Sequence, residues 1–165
     1  MSSSAQDPKS SSVPTSQEIP PPNVSCASVE PSEVYEWIER TKAAGEHGHK
    51  DLCNDFLLVD VRRTDWEGGT IATSINLPAQ SFYQTRQGVY QLCKQAGIKK
   101  VVFYCGSCGN RGPRCAGWFQ EYLNSIGETE MTAAILTGGV KGWQKKYGGQ
   151  LMDFYDPNAW GSQSK

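Results

Sequence analysis

The sequence predicts an α/β domain built on an open parallel sheet with helices on both faces. Residues 56–62 and 101–104 are apolar without alternation and rich in β-branched and aromatic side chains, which is typical of strands buried on both faces. Stretches with apolar residues at helical spacing separate these strand candidates. Strands that alternate with helices usually form one parallel sheet. The length of 165 residues favours a single domain.

The first half of the chain is predicted to contain a disordered tail, a helix and two strands. Residues 1–23 are mostly Ser, Pro and Gln, so they have little to bury and are predicted to be disordered. Order is expected from Val24, and Pro31 is expected to open a helix that fades near Ala44. The elements that follow are, in order, the strand at 56–62, a loop at 64–71 and a short strand at 74–78.

The second half is predicted to alternate helices and strands around the central strand at 101–104. A helix within residues 81–97 is expected around Val89, Leu92 and Cys93. The helix that follows the central strand has an apolar stripe formed by Cys115, Ala116, Trp118, Phe119, Tyr122, Leu123 and Ile126. The last elements are a strand at 132–136, a short helix that follows Gly138, and a tail at 149–165, loosely packed or docked on the core.

The loop after the central strand has a composition suited to anion binding. It runs from Cys105 at the strand end to Arg111 at the mouth of the helix, a C-x5-R spacing. The residues between them are small or polar: Gly106, Ser107, Cys108, Gly109 and Asn110. Small residues allow backbone N–H groups to curl around an anion, and a helix N-terminus adds free donors. The spacing alone arises by chance, but its place between a buried strand and an amphipathic helix makes it specific.

The residue types in this loop predict nucleophilic chemistry on an oxyanion. A thiol at the base of such a cup is stabilised as a thiolate, so Cys105 is predicted to be the nucleophile. Arg111 can bind two oxygens of a tetrahedral oxyanion at once and is predicted to be the clamp. Residues 106–111 are predicted to form the anion-binding loop. Cys108 makes a C-x-x-C pair with Cys105, and either serves as a resolving thiol or only fills a small, polarizable position.

Asp60 and the two histidines are polar residues outside this loop, and none of them is predicted to carry out the chemistry itself. Asp60 lies at the end of a strand, where it can approach Cys105. It is predicted to be a supporting carboxylate bonded to loop N–H groups, with an acid–base role as the alternative. His47 and His49 have no clear ligand set around them, so a solvated loop is predicted there and no metal site.

The charge and the hydropathy of the sequence argue against two classes of binding partner, nucleic acids and membranes. The net charge of −1 gives no large basic surface for nucleic acid. No apolar run approaches the roughly 20 residues that span a bilayer, and no charged-then-apolar signal sequence is present. Neither nucleic acid nor a membrane is therefore expected as a partner. The six cysteines are expected to be mostly reduced, as in a cytoplasmic or nuclear protein.

Three motifs in chain order resemble the rhodanese superfamily. The first comprises L-L-V-D-V-R at 57–62, D-W-E-G-G-T-I at 65–71 and S-I-N-L-P at 74–78. The second is the central Cys105 at the end of its strand, and the third is L-T-G-G-V-K-G-W at 136–143. The resemblance implies a rhodanese-like domain over residues 24–148, between the two tails.

Within that superfamily, the length of the active loop separates two chemistries. The seven residues from Cys105 to Arg111 resemble the branch of cell-division-cycle dual-specificity phosphatases and yeast-type arsenate reductases, whereas the sulfurtransferases carry six. The sequence R-G-P at 111–113 also resembles this branch. Tyr104 and Thr70 stand where these enzymes usually have His, and Cys108 stands where related arsenate reductases have Ser.

The resemblance implies an enzyme that acts on a small oxyanion or a phosphorylated substrate through a Cys105 intermediate, as a phosphatase or an arsenate reductase. It implies no bound cofactor. An arsenate reductase would use an external thiol reductant such as glutathione, with glutaredoxin as a partner. The alternatives are a sulfurtransferase with a Cys105 persulfide and a non-catalytic module that binds anions or senses redox state.

Overall fold

A five-stranded parallel sheet forms the centre of the molecule in a computed structural model that describes residues 19–46 and 55–161. Its strands are β1 (Ala27–Val29), β2 (Phe56–Asp60), β4 (Ile75–Asn76), β5 (Lys100–Tyr104) and β6 (Thr132–Leu136). They lie in the order β1-β6-β5-β2-β4, and neighbouring strands are parallel. Two short segments, β3 (Thr70–Ile71) and β7 (Met152–Asp153), pair antiparallel outside this sheet.

Helices cover both faces of the sheet. They are α1 (Pro31–Glu46), α2 (Ala79–Gln95), α3 (Arg111–Ser125), α4 (Gly139–Tyr147) and the short α5 (Pro157–Trp160). One buried cluster joins Val59 and Phe103 of the sheet to α2 and α3, and a second joins Leu58 and Val102 to α1 and α4. Successive residues of a strand point to opposite faces of the sheet, and here helices cover both faces. The residues on both faces must therefore be apolar, which explains the unbroken apolar runs in β2 and β5.

The predicted α/β class and the three main strands are confirmed, while two of the apolar residues that indicated α2 and α3 lie outside the core. Leu92 is 69% exposed and Ile126 is 43% exposed. The buried residues of α2, Phe82, Val89 and Cys93, share one face of the helix, and Leu92 lies outside that face. Ile126 is the residue after the last turn of α3, so it lies beyond the part of the helix that packs on the sheet. No helix among the described residues is both long and apolar enough to cross a bilayer.

Both ends of the described chain pack on the domain. Ile19 is 5% exposed, and the Trp118 indole N–H donates to the Pro20 carbonyl at 2.8 Å. Ile19 and Pro20, which fall within the predicted disordered tail, therefore pack on the domain. The rest of the predicted disordered tail, residues 1–18, lies outside the described residues, as does the predicted histidine loop at 47–51.

The C-terminal segment docks through β7 and α5. Strand β7 pairs with β3, so residues 70–71 form a strand inside a region that the sequence predicts to be a loop. The Trp160 indole N–H donates to the Gly68 carbonyl at 2.9 Å. The predicted tail is thus docked over residues 152–160.

A buried ion pair holds the loop that follows β2. Asp60 and Arg62 are 1% and 2% exposed, and Nη2 of Arg62 lies 2.6 Å from Oδ2 of Asp60. The guanidinium also donates to the carbonyls of Asp65 at 3.2 Å and Gly69 at 2.7 Å. The Thr70 hydroxyl donates to Asp60 at 2.9 Å. One buried pair therefore fixes both ends of the loop from residue 62 to residue 70.

Replacing Asp60 with Asn is expected to lower the free energy of unfolding by about 3–5 kcal/mol, because the Arg62 charge would remain buried without its counter-ion. Asp55→Asn, at an exposed position just before β2, is the matched control and should change it by less than about 0.5 kcal/mol. Urea denaturation of both variants measures the difference. An Asp60→Asn protein as stable as the control would contradict the anchoring role of the pair.

Candidate active site

Cys105 lies directly after β5, at the edge of the sheet where the parallel strands end. Its neighbour Tyr104 is in register with Asp60, the last residue of β2. The loop then continues to Arg111, where α3 begins. A cavity of about 280 Å³ opens above this loop and is lined by Asp65, Cys105, Gly106, Ser107, Gly109, Asn110, Arg111 and Lys141. The fold thus places the predicted nucleophile and the predicted clamp around one cavity.

The environment of Cys105 favours its thiolate. Its pKa is lowered from 9.0 to about 5, first by a hydrogen bond from the Cys108 thiol. The backbone N–H groups of Gly112 and Cys108 and the charge of Arg111 act in the same direction, while burial opposes them. The side chain is only 3% exposed but borders the cavity. Cys105 is therefore ionised at neutral pH, as nucleophilic attack requires.

Cys108 is the protonated member of the pair. The hydrogen bond to Cys105 and then burial raise its pKa far above that of an ordinary thiol. Its backbone has a φ of +58°, in the left-handed region that side chains seldom adopt, and its sulfur lies 3.8 Å from the Phe103 carbonyl. This conformation turns the Cys108 side chain beneath the loop, where it packs against both core clusters. The thiol can therefore reach Cys105 from the protein side.

Two glycines permit the close packing around these sulfurs. A Cβ on Gly112 would lie 2.6 Å from the Cys108 sulfur. A Cβ on Gly139, which has a φ of +60°, would lie 2.5 Å from the Cys105 carbonyl and 3.0 Å from the Cys108 nitrogen. Any larger residue at either position would displace the loop. The G-G turn before α4 therefore supports the loop from behind.

Arg111 projects into the cavity and makes a two-pronged ion pair with Asp65. Its Nη1 and Nη2 atoms donate to Oδ1 and Oδ2 of Asp65 at 2.8 and 2.6 Å. Arg111 holds the pKa of the Asp65 carboxyl well below its usual range, and Asp65 in turn raises the pKa of Arg111. Both side chains are partly exposed, at 36% and 49%. The planar fork is thus already oriented for two oxygens of a planar or tetrahedral anion.

Lys141 is a second cation at the cavity, and the sequence reasoning missed it. Its backbone N–H donates to the Gly106 carbonyl at 2.9 Å, and that of Val140 donates to the Cys105 carbonyl at 3.0 Å. These bonds hold the start of α4 against the loop. Asp65 was missed as well. The available signal for both was their place after strands that neighbour β5, since loops after parallel strands meet at one edge.

Asp60 supports the site from below. Its carboxylate accepts hydrogen bonds from the Arg62 backbone N–H at 3.1 Å and from the Arg62 side chain. The Thr70 hydroxyl, which bonds Asp60, also lies 2.7 Å from the Tyr104 hydroxyl. Tyr104 additionally bonds Ser74 and the backbone N–H of Ile71. The two residues that replace His in the motifs, Thr70 and Tyr104, are therefore hydrogen-bonded to one another.

Within residues 19–46 and 55–161, no group of three His, Cys, Asp or Glu side chains is arranged to hold a metal ion. His47 and His49 fall outside these ranges. The predicted convergence of the N–H groups of residues 106–111 on one bound anion stays a prediction.

Residues 30–146 match the family model of the rhodanese-like domain. The chain belongs to this family. The match covers every strand of the central sheet except β1, and it includes all the residues that line the cavity. The resemblance seen in the three sequence motifs is therefore confirmed.

Relatives of this rhodanese-like protein carry two kinds of name. Arsenical-resistance protein 2 of Saccharomyces cerevisiae is 30% identical over 97 residues, which cover 54% of this chain and 75% of the relative. The dual specificity phosphatase ibp1 of Schizosaccharomyces pombe is 31% identical over 114 residues, which cover 59% and 80%. A solved yeast protein tyrosine phosphatase of the rhodanese family has 26% identity and a TM-score of 0.64, and the similarity covers 83% of this chain and 98% of that one.

The ionisation of Cys105 predicts an unusual pH dependence of alkylation. Because only the thiolate reacts, its rate with iodoacetamide should rise as the pH increases through about 5 and then level off. Cys26 and Cys93 are internal controls, since burial raises their pKa to about 11 and keeps them protonated at neutral pH. Peptide mass spectrometry after timed labelling gives each rate. A Cys105 rate that still climbs at pH 8 would contradict the stabilised thiolate.

Proposed function

We propose that this rhodanese-like protein hydrolyses phosphate monoesters through a phosphocysteine on Cys105. The observation that carries the proposal is a thiol with a pKa of about 5, at the base of a cavity that also holds the fork of Arg111. The S. pombe relative named as a dual specificity phosphatase supports the same reaction class. The seven-residue loop that resembles the phosphatase branch is a further argument for phosphorus over sulfur as the target.

The first step joins the enzyme to the phosphoryl group. The Cys105 thiolate attacks phosphorus, an S–P bond forms, and the bond to the ester oxygen breaks. Arg111 binds two of the non-bridging oxygens, which carry the charge in the transition state. Lys141 adds a second positive charge at the rim of the same cavity. These interactions strengthen as the phosphoryl group separates from its leaving group, so they favour the transition state.

The second step releases phosphate. A water molecule attacks phosphorus, the S–P bond breaks, and the electron pair returns to Cys105 as a thiolate. A sulfur with a lowered pKa is a good leaving group, so the same hydrogen bonds from Cys108 and Gly112 that favour attack also favour release. The cycle needs no cofactor. The proposed substrate is a small phosphorylated molecule or side chain.

Arsenate reduction is the second candidate, because a protonated thiol lies against the nucleophile. The S. cerevisiae relative named as an arsenical-resistance protein supports it. Cys105 attacks arsenate and water leaves, which gives an S–As(V) adduct. Cys108 loses its proton and attacks the Cys105 sulfur, so an S–S bond forms and the S–As electron pair reduces arsenic to As(III). A dithiol or glutathione, delivered with glutaredoxin, then reduces the disulfide.

Cys105→Ser is expected to lower the turnover of p-nitrophenyl phosphate by about 10⁴-fold or more, because the hydroxyl is not ionised. Cys26→Ser, outside the cavity, is the matched control and should retain activity. The assay panel also contains arsenate with glutathione and glutaredoxin, and thiosulfate with cyanide. Turnover of thiosulfate alone would replace the proposal with a sulfurtransferase, and full phosphatase activity in Cys105→Ser would remove the nucleophile.

The arsenate route predicts a specific disulfide. After one turnover of arsenate without a reductant, mass spectrometry should find Cys105 linked to Cys108, and glutathione should reverse the link. Cys108→Ser should stall at the adduct and form no As(III), while Cys26→Ser should behave as wild type. Reduction of arsenate by Cys108→Ser at the wild-type rate would show that Cys108 only fills its position.

A further inference from the structure

Asp65 is a carboxylate in the cavity that neither proposed step uses. It lies in the loop held by Asp60 and Arg62, opposite the Cys105 loop, and it lines the same cavity as Cys105 and Arg111. Its backbone carbonyl accepts from Arg62 at 3.2 Å, and its Oδ1 accepts from the Arg63 backbone N–H at 3.1 Å. The carboxylate is therefore positioned by the loop itself as well as by Arg111.

An oxyanion substrate and Asp65 compete for the same donors. The Arg111 fork holds both oxygens of Asp65, at 2.8 and 2.6 Å. A phosphoryl group above Cys105 needs that fork for two of its own oxygens. Asp65 is then left at the rim of the cavity, attached through the Arg63 N–H, while the ester oxygen of the substrate points away from the Cys105 sulfur towards the opening.

We propose that Asp65 is the general acid–base residue of the phosphatase reaction, released for this role when the substrate takes over the Arg111 fork. The inference rests on the proposed phosphatase activity and deepens it. Asp65 then has a different role in each of two states of the protein. In the resting protein Asp65 orients Arg111, and in the substrate complex it serves the leaving oxygen.

Asp65 takes up and releases a proton twice in the phosphatase cycle. The ester binds as its monoanion and passes its proton to Asp65, which has just lost its cationic partner. As the P–O bond breaks, Asp65 gives this proton to the leaving oxygen, so an alcohol departs rather than an alkoxide. In the second step Asp65 accepts a proton from the attacking water. That proton leaves with phosphate, and Asp65 returns to Arg111.

The other ionisable groups that face Asp65 are less suited to this role. Cys105 is consumed as the nucleophile, and Cys108 donates to it from the protein side. Arg111 and the neighbouring Arg62 and Arg63 stay protonated and cannot exchange protons in this pH range. Lys141 faces the same cavity from α4 as a cation that stabilises the phosphoryl oxygens. Among the described residues that line the cavity, Asp65 is thus the one with a carboxylate that can take up and release a proton.

The test compares Asp65→Asn on two esters that differ in their leaving group. Phenyl phosphate needs protonation of a poor leaving group, so its kcat should fall about 10²–10³-fold. The p-nitrophenolate of p-nitrophenyl phosphate departs without a proton, so that kcat should fall about ten-fold at most. Asp65→Glu should restore part of the phenyl phosphate activity. Asp153→Asn, an exposed carboxylate outside the cavity, is the matched control and should alter both by less than about two-fold.

Two further readouts separate acid–base chemistry from a merely structural role. The wild-type kcat for phenyl phosphate should decline on the alkaline side as Asp65 loses its proton, and this decline should be absent in Asp65→Asn. Inorganic phosphate should bind Asp65→Asn about two- to five-fold more tightly, because the competitor for Arg111 is gone.

Equal losses on the two esters in Asp65→Asn, with an unchanged pH profile, would overturn the role of Asp65 and leave the phosphatase proposal intact. A wild-type protein that hydrolyses neither ester would overturn the phosphatase proposal and this inference with it.

Discussion

The buried ion pair between Asp60 and Arg62 is the constraint on which the site depends. Two charges at 1–2% exposure are costly to desolvate, so they persist only where hydrogen bonds satisfy them fully. Here the guanidinium binds the carbonyls of Asp65 and Gly69, and the carboxylate binds Thr70. Thr70 in turn bonds Tyr104, the residue before the nucleophile. The pair thereby connects the loop that contains Asp65 to the end of β5, directly before Cys105.

The charges in the cavity explain how a buried sulfur can be ionised. Burial raises the pKa of a thiol, and at Cys115 burial first and then the negative charge of Cys105 raise it to about 12. At Cys105 the hydrogen bonds from Cys108 and Gly112 and the Arg111 charge outweigh that effect. Arg111 and Lys141 then face Cys105 and Asp65, two positive groups against two negative ones. An incoming oxyanion can take the place of Asp65 at Arg111 without leaving any cation unpaired.

The sequence predicts the parts of the fold that depend on local pattern, and it misses contacts made between distant segments. Strands β2 and β5 were predictable because a strand covered on both faces must be apolar at every position. Cys105 and Arg111 were predictable because one loop contains both. Asp65 lies in the loop after β2 and Lys141 lies in α4, after β6, and only the strand order brings them to the cavity. Ile19 lies in a Ser- and Pro-rich segment without a periodic apolar pattern, so the local sequence does not predict that its side chain is buried against α3.

In the proposed phosphatase cycle, Cys105 becomes phosphorylated during each turnover. Quenching with a denaturant at alkaline pH within the first turnover of p-nitrophenyl phosphate, followed by peptide mass spectrometry, measures this directly, because the S–P bond of phosphocysteine persists at alkaline pH once the enzyme is unfolded. We expect a phosphoryl group on the peptide that contains Cys105, and we expect it to be lost when quenching is delayed until the substrate is consumed. Steady turnover with no phosphorylated Cys105 at any quench time, or with the phosphoryl group on another residue, would contradict it.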